Sequence, residues 1–216
     1  MIDLYCERLS PGLLAEPLNA STNVAFLIAA WCCWKLASKE SDTGLLIHLL
    51  VVLVAIIGVG SGLFHTFANG WSQLADVIPI MLFQLCFLAI YCRQVLALRW
   101  ITLVGALLAF VAAGVLMGQF KHFLNGSVVY LPAFAAMLVL GICHYRLGLR
   151  NPTIVLWAAL LFLVSLSFRS LDLWICSDFE MGTHFLWHLC NGWLLYLLMK
   201  GLIQSDGRRT ESPTAG

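Results

Sequence analysis

Residues 44–66 read GLLIHLLVVLVAIIGVGSGLFHT, a stretch with no Asp, Glu, Lys or Arg. A helix needs about 20 apolar residues to cross the hydrocarbon core of a bilayer. This segment supplies them, and it closes on Ser61 and His65, four residues apart and therefore on one helix face. Moving outward, charge-poor windows of the same kind place further helices near 18–38, 73–92, 98–118, 127–147, 153–173 and 183–203. Between 44–66 and 73–92 a short turn is expected around Ala68-Asn69-Gly70. The expected fold is an all-α membrane protein, a seven-transmembrane helix bundle.

Composition agrees. Of 216 residues, 61% are hydrophobic and 11% charged, and the net charge is +1. Mean hydropathy is +0.91. Soluble domains run nearer 45–50% apolar and about 25% charged. A water-soluble enzyme, a disordered chain and a nucleic-acid binder are all excluded by these figures, and no strong field exists to recruit a charged partner. Asp3 and Glu7 stand where a cleaved leader would have a basic region, so the first apolar stretch reads as a span. The chain divides into an extracytoplasmic segment 1–17, the helical domain 18–203 and a polar tail 204–216, expected to be disordered and cytoplasmic.

Orientation follows from Lys and Arg. Lys35, Lys39, Arg93, Arg99, Arg146, Arg150, Lys200, Arg208 and Arg209 fall on one side, and Arg8 and Lys121 on the other. The positive-inside rule then puts the N-terminus out and the C-terminus in. With that topology His65, Asp76, His184 and His188 reach a similar depth at the outer face. Ionisable groups inside a membrane are costly and point to function.

The spacing supports a metal. His184 and His188 are i, i+4 and share a helix face. His65 adds a third imidazole, and three histidines with one open position is a catalytic zinc pattern. Ser61 is open to two readings, an oxyanion donor or a small packing residue within Gly58-Val-Gly60-Ser-Gly62. Asp76 is open to three: a fourth ligand, a partner to a ligating histidine, or a general base. Thr183 is expected to cap the last helix. Arg169 and Asp172, i and i+3, are expected to form a structural ion pair rather than touch substrate. His48, His122 and His144 read as solvated or structural.

These residues resemble the alkaline ceramidases. The resemblance rests on Ser61-x-x-x-His65, Asp76 and His184-x-x-x-His188. It rests also on Tyr5-Cys6-Glu7, on Glu16-Pro-Leu-Asn19-Ala-Ser-Thr-Asn23 and on Asp172-Leu-Trp-Ile-Cys176. It covers nearly the whole chain and implies a zinc-dependent amidase. The substrate would be the N-acyl bond of a ceramide-like membrane lipid, and the products a sphingoid base and a fatty acid. His65, His184 and His188 would hold zinc, Asp76 would position and deprotonate the water, and Ser61 would stabilise the oxyanion. The resemblance implies a calcium ion as well, on Glu7, Glu16 and the Tyr5 carbonyl. Asp3 is a further candidate one residue out of register, and Leu9 stands where the family has an asparagine ligand. Cys6 and Cys176, the two cysteines in outer segments, are expected to form a disulfide; the family is similar in having a cysteine at each place. The alternative function is a zinc-containing seven-span lipid receptor of the same superfamily. A retinal-type sensor is disfavoured, because Lys200 lies at the inner end of its helix. Short loops suit a bacterial inner membrane, or the endoplasmic reticulum or Golgi were the chain eukaryotic.

Overall fold

Hydrocarbon offers backbone amides no partners, so a chain this apolar must satisfy them within helices. The computed structural model describes residues 1–40 and 43–206, and these contain helices and no strand. The first apolar window is broken at Asn23 into α1 (Pro17–Thr22) and α2 (Val24–Ala37). Pro17 stands at the start of α1, where its missing N–H costs nothing. The Glu7 carboxylate accepts the next two free donors, the N–H groups of Leu18 (2.6 Å) and Asn19 (2.7 Å).

Next come α3 (Leu45–Phe67), α4 (Gly70–Ile90) with a π-helical turn Tyr91–Val95, and α5 (Trp100–Gly118). A 3-10 segment, Phe123–Tyr130, leads into α6 (Leu131–Arg146). The chain continues as α7 (Ile154–Leu171), a 3-10 turn Asp172–Trp174, and α8 (His184–Asp206). Counted with their flanking turns, six helices among the described residues are long and apolar enough to cross a membrane. They are Pro17–Ala37, Leu45–Phe67, Gly70–Val95, Trp100–Gly118, Phe123–Arg146 and Ile154–Trp174. α8 has 23 residues, but His184, His188, Asn191, Lys200 and Gln204 lower its hydropathy. It also runs past the expected end at 203: Gln204 is helical and accepts a hydrogen bond from Asn151 Nδ2 (2.7 Å). The remainder of the expected disordered tail, including Arg208 and Arg209, lies outside the described residues.

The centre of the bundle is α3, packed on α2 and α4, with α8 packed on α7 and α2. α5 lies at the rim, with Leu103 its one buried residue and Ile101, Leu108 and Val115 exposed. An apolar surface of this kind suits acyl chains rather than water.

Two local features set the site. Ala68 adopts a left-handed conformation (φ 45°) that ends α3, and Asn69 and Ser72 form a reciprocal capping box that starts α4. This is the turn expected at Ala68–Gly70. Further up, a Cβ on Gly60 would stand 2.0 Å from the Ala75 carbonyl oxygen. Only glycine permits the backbones of α3 and α4 to meet there, and the contact sets Ser61 beside Asp76.

Candidate metal centre

His65 on α3 and His184 and His188 on α8 converge. All three are buried, and one ring nitrogen from each lies within 4.8 Å of the others. The i, i+4 spacing turns both α8 rings to one face, and the packing of the helices supplies the third.

The other ring nitrogens fix the tautomers. His65 Nδ1 is 2.5 Å from Glu16 Oε2, so it donates to the carboxylate and its Nε2 keeps a lone pair. His188 Nδ1 is 3.1 Å from Thr22 Oγ1, whose own hydrogen goes to the Leu18 carbonyl (2.8 Å). That hydroxyl accepts from Nδ1–H, which again leaves Nε2 with a lone pair. His184 Nδ1 is buried without a partner. Tyr5 stacks on the His184 ring, centroids 3.6 Å apart. Burial pushes the Tyr5 hydroxyl up, so it stays protonated at neutral pH. Three converging imidazoles with a partnerless buried nitrogen among them suit zinc with an open fourth position.

Ser61 is buried. Asp76 lies within hydrogen-bonding reach of Ser61 and interacts electrostatically with His65 and Arg169. An apolar cavity of about 100 Å³ lies between the helices, lined by Phe83, Phe87, Phe110, Met137, Phe162 and Leu195 among others. Phe26 and Trp187 border it, with ring centroids 6.3 Å from His188 and 6.5 Å from His184.

The expected Arg169–Asp172 ion pair is not formed. α7 ends at Leu171, and Asp172 begins a 3-10 turn, so i, i+3 spacing no longer aligns the two side chains. Arg169 donates instead to the Asn125 carbonyl and to Ser127 Oγ (3.1 Å). Its guanidinium carbon stands 5.5 Å from the Tyr130 ring centroid. Asp172 is fully buried and gathers three backbone amides. Its Oδ1 accepts from Thr183 (2.7 Å) and His184 (2.9 Å), and its Oδ2 from Cys6 (3.1 Å). Asp172 thus does the capping expected of Thr183, whose hydroxyl donates to the Phe168 carbonyl (2.6 Å). Gly182, at φ +60°, is required, because a Cβ there would stand 2.1 Å from Asp172 Oδ1.

The residues proposed for calcium do not fit that ion. Both Glu7 oxygens are taken by the α1 amides. Glu16 is shared among Arg8 Nε (2.5 Å), His65 Nδ1 and Asn19 Nδ2 (3.2 Å). Burial pushes the Glu16 carboxyl up, but His65 and Arg8 outweigh it and hold it below its usual value. The Tyr5 carbonyl accepts from the Arg8 amide (3.3 Å), and Asp3 is exposed.

Of the other histidines, His144 is fully buried against the Tyr91 hydroxyl (2.5 Å), His48 packs on Trp34, and His122 is exposed. No local spacing marks Glu16, Thr22 or Asp172 as supports of the histidines. The cluster Asn19, Ser21, Thr22 and Asn23 inside an apolar helix was a signal that could have found Thr22.

Cys6 and Cys176 are joined by a disulfide with Cα atoms 5.3 Å apart, and the other six cysteines are free. The bond closes a separation of 170 residues. The chain-entropy model values such a loop at about 5 kcal/mol, an upper figure because packed helices already restrict the unfolded chain. Even about 2 kcal/mol would lower the melting temperature of Cys176→Ser by roughly 4–8 °C. A thermal melt with and without reductant checks this, and an unchanged midpoint would contradict it.

No curated protein matches the chain significantly. A family model does. The model described as Ceramidase matches residues 5–213, a range that takes in Cys6 and Cys176, Ser61, Asp76 and all three converging histidines. With the match running over nearly its whole length, the chain belongs to the ceramidase family.

Proposed function

We propose that this protein is a zinc-dependent intramembrane hydrolase that cleaves the N-acyl amide bond of ceramide-like lipids to a sphingoid base and a fatty acid. The observation that carries the reading is the convergence of three buried imidazoles beside an apolar cavity. A ceramide-like lipid presents an amide at the headgroup boundary with acyl chains below it, which matches a polar site on an apolar pocket.

His65, His184 and His188 would hold the ion. When bound, zinc would polarise the amide carbonyl and bring a water toward pKa 7. Asp76 would take a proton from the attacking water. It would return that proton to the amide nitrogen as the C–N bond breaks, so the carboxylate is restored. Ser61 would donate a hydrogen bond to the carbonyl oxygen as charge develops on it. The cavity would receive an acyl chain. In this account α8 completes a seventh span, the N-terminus lies outside and the C-terminus inside. Residues 1–17 then cover the outer mouth of the hydrolase domain, 18–203, in a bacterial inner membrane.

Ser61→Ala is expected to lower kcat by roughly 10²–10³-fold, the cost of one oxyanion donor, with zinc content unchanged. Steady-state kinetics on purified protein with metal analysis checks this. Wild-type kcat in the variant would assign Ser61 to helix packing.

The reading is tested by incubating zinc-loaded protein with N-acyl sphingoid bases, N-acyl ethanolamines and acyl esters. Release of fatty acid from the N-acyl sphingoid bases, stopped by a zinc chelator, is the expected result. Zinc binding without hydrolysis of any of them would favour the receptor alternative and contradict the proposal.

A further inference from the structure

We propose that Arg8 is the resident cation of the N-terminal segment: its guanidinium holds the place a divalent ion would need there, and it positions His65 for metal binding. The second half rests on the reading of His65 as a zinc ligand; the first does not.

Arg8 is an unusual residue to find buried, with 4% of its surface exposed. Lys and Arg are almost never buried unless paired. Here three guanidinium nitrogens point three ways. Nε binds Glu16 Oε1 (2.5 Å), Nη1 the Gly12 carbonyl (3.3 Å) and Nη2 the His65 carbonyl (2.9 Å). The rigid fork of arginine matches such a set, whereas a lysine ammonium is a single point of charge. One side chain therefore ties the 8–16 loop to the last turns of α3.

The oxygen inventory explains why no divalent ion is needed. Calcium takes six to eight oxygen ligands at about 2.3–2.6 Å. The oxygens of Glu7, Glu16, Gly12, Tyr5 and His65 each already accept from a donor on this chain. Asn19, whose Nδ2 bonds Glu16, has a buried Oδ1 without a partner, and one such oxygen is far short of six. A second cation would also face the guanidinium charge at close range. The segment thus carries its own positive group, covalently attached.

The same contacts bear on His65 twice. Arg8 holds one oxygen of Glu16 while the other holds His65 Nδ1. Arg8 also binds the His65 backbone carbonyl directly. Loss of the guanidinium would free the Glu16 carboxylate to rotate and would leave its buried Oε1 unpaired. The ring of His65 would then lose the acceptor that sets its direction. Removing groups that orient a ligating histidine typically costs 10–100-fold in metal affinity. Arg8 is in this sense a positioning residue.

The test uses the full chain in detergent micelles. For wild type, the melting temperature is recorded from excess EGTA to millimolar calcium. No shift is expected, and a saturable calcium stabilisation that Glu7→Gln removes would overturn the resident-cation half. For the positioning half, zinc affinity is measured by competition with a chromophoric chelator. Arg8→Ala is expected to weaken it roughly 10–100-fold, with Arg8→Lys between the two because charge returns without the fork. Cys176→Ser, which loosens the same segment without touching His65, is expected to leave zinc affinity near wild type. Wild-type affinity in Arg8→Ala would overturn the proposal, as would an equal loss in Cys176→Ser, which would make the effect one of general loosening. If Arg8→Ala does not fold, Arg8→Lys gives the same reading, and wild-type affinity there overturns the role of the fork. A wild type that binds no zinc defeats the function proposed above and the positioning half with it, and leaves the calcium melt to decide the other half.

Discussion

Alanine at His188 is expected to remove zinc and to abolish lipid hydrolysis. The imidazole is buried and held by the Thr22 hydroxyl, and one of its ring nitrogens closes on those of His65 and His184. Two histidines on separate helices leave a site that must recruit two further ligands, and among the described residues no other group of three such side chains is gathered. If the ion supplies several kcal/mol of charge stabilisation, turnover should fall by at least about 10³-fold, since each 1.36 kcal/mol is tenfold. His144 provides the control. It is equally buried, but it bonds Tyr91 and the Arg150 carbonyl, away from the three histidines. His144→Ala should lower the melting temperature and leave zinc bound. Metal analysis of both variants beside a hydrolysis assay checks the pair, and zinc retained at full stoichiometry in His188→Ala would contradict the ligand assignment.

Asp76→Asn should separate binding from chemistry. Asparagine keeps the size of the side chain and can still reach Ser61, so the contact between α3 and α4 at Gly60 is undisturbed. It cannot accept a proton from water. General base catalysis contributes typically 10²–10⁴-fold, and a loss in that range is expected in kcat, with KM and zinc content near wild type. Loss of zinc instead would make Asp76 a ligand. Full activity would assign the base elsewhere.

Much of this was legible in the chain because helices have a fixed period. The windows free of charge gave the helices to within a few residues, since a membrane forbids most alternatives. His184 and His188 shared a face on spacing alone. His65 was placed beside them only by inferring the depth at which each helix ends, and the packing of α3 on α2 near α8 bears on that convergence. What spacing could not reveal are contacts across long separations. Glu16 reaches His65 over 49 residues, and Asp172 reaches the amide of Cys6 over 166. No local pattern announces either. The Arg169–Asp172 pairing failed for a related reason: i, i+3 geometry assumes that the helix continues, and α7 stops between the two. Arg8 entered only the count of charges that sets orientation, because nothing in its neighbours signals that a guanidinium will be buried against Glu16.

The central claim is that three histidines hold one zinc ion. X-ray absorption at the zinc edge on purified wild-type protein tests it most directly. The account predicts one zinc per chain, bound by three histidine nitrogens at about 2.0–2.1 Å with one further oxygen. Zinc far below one per chain, or a shell containing sulfur at about 2.3 Å, would contradict it.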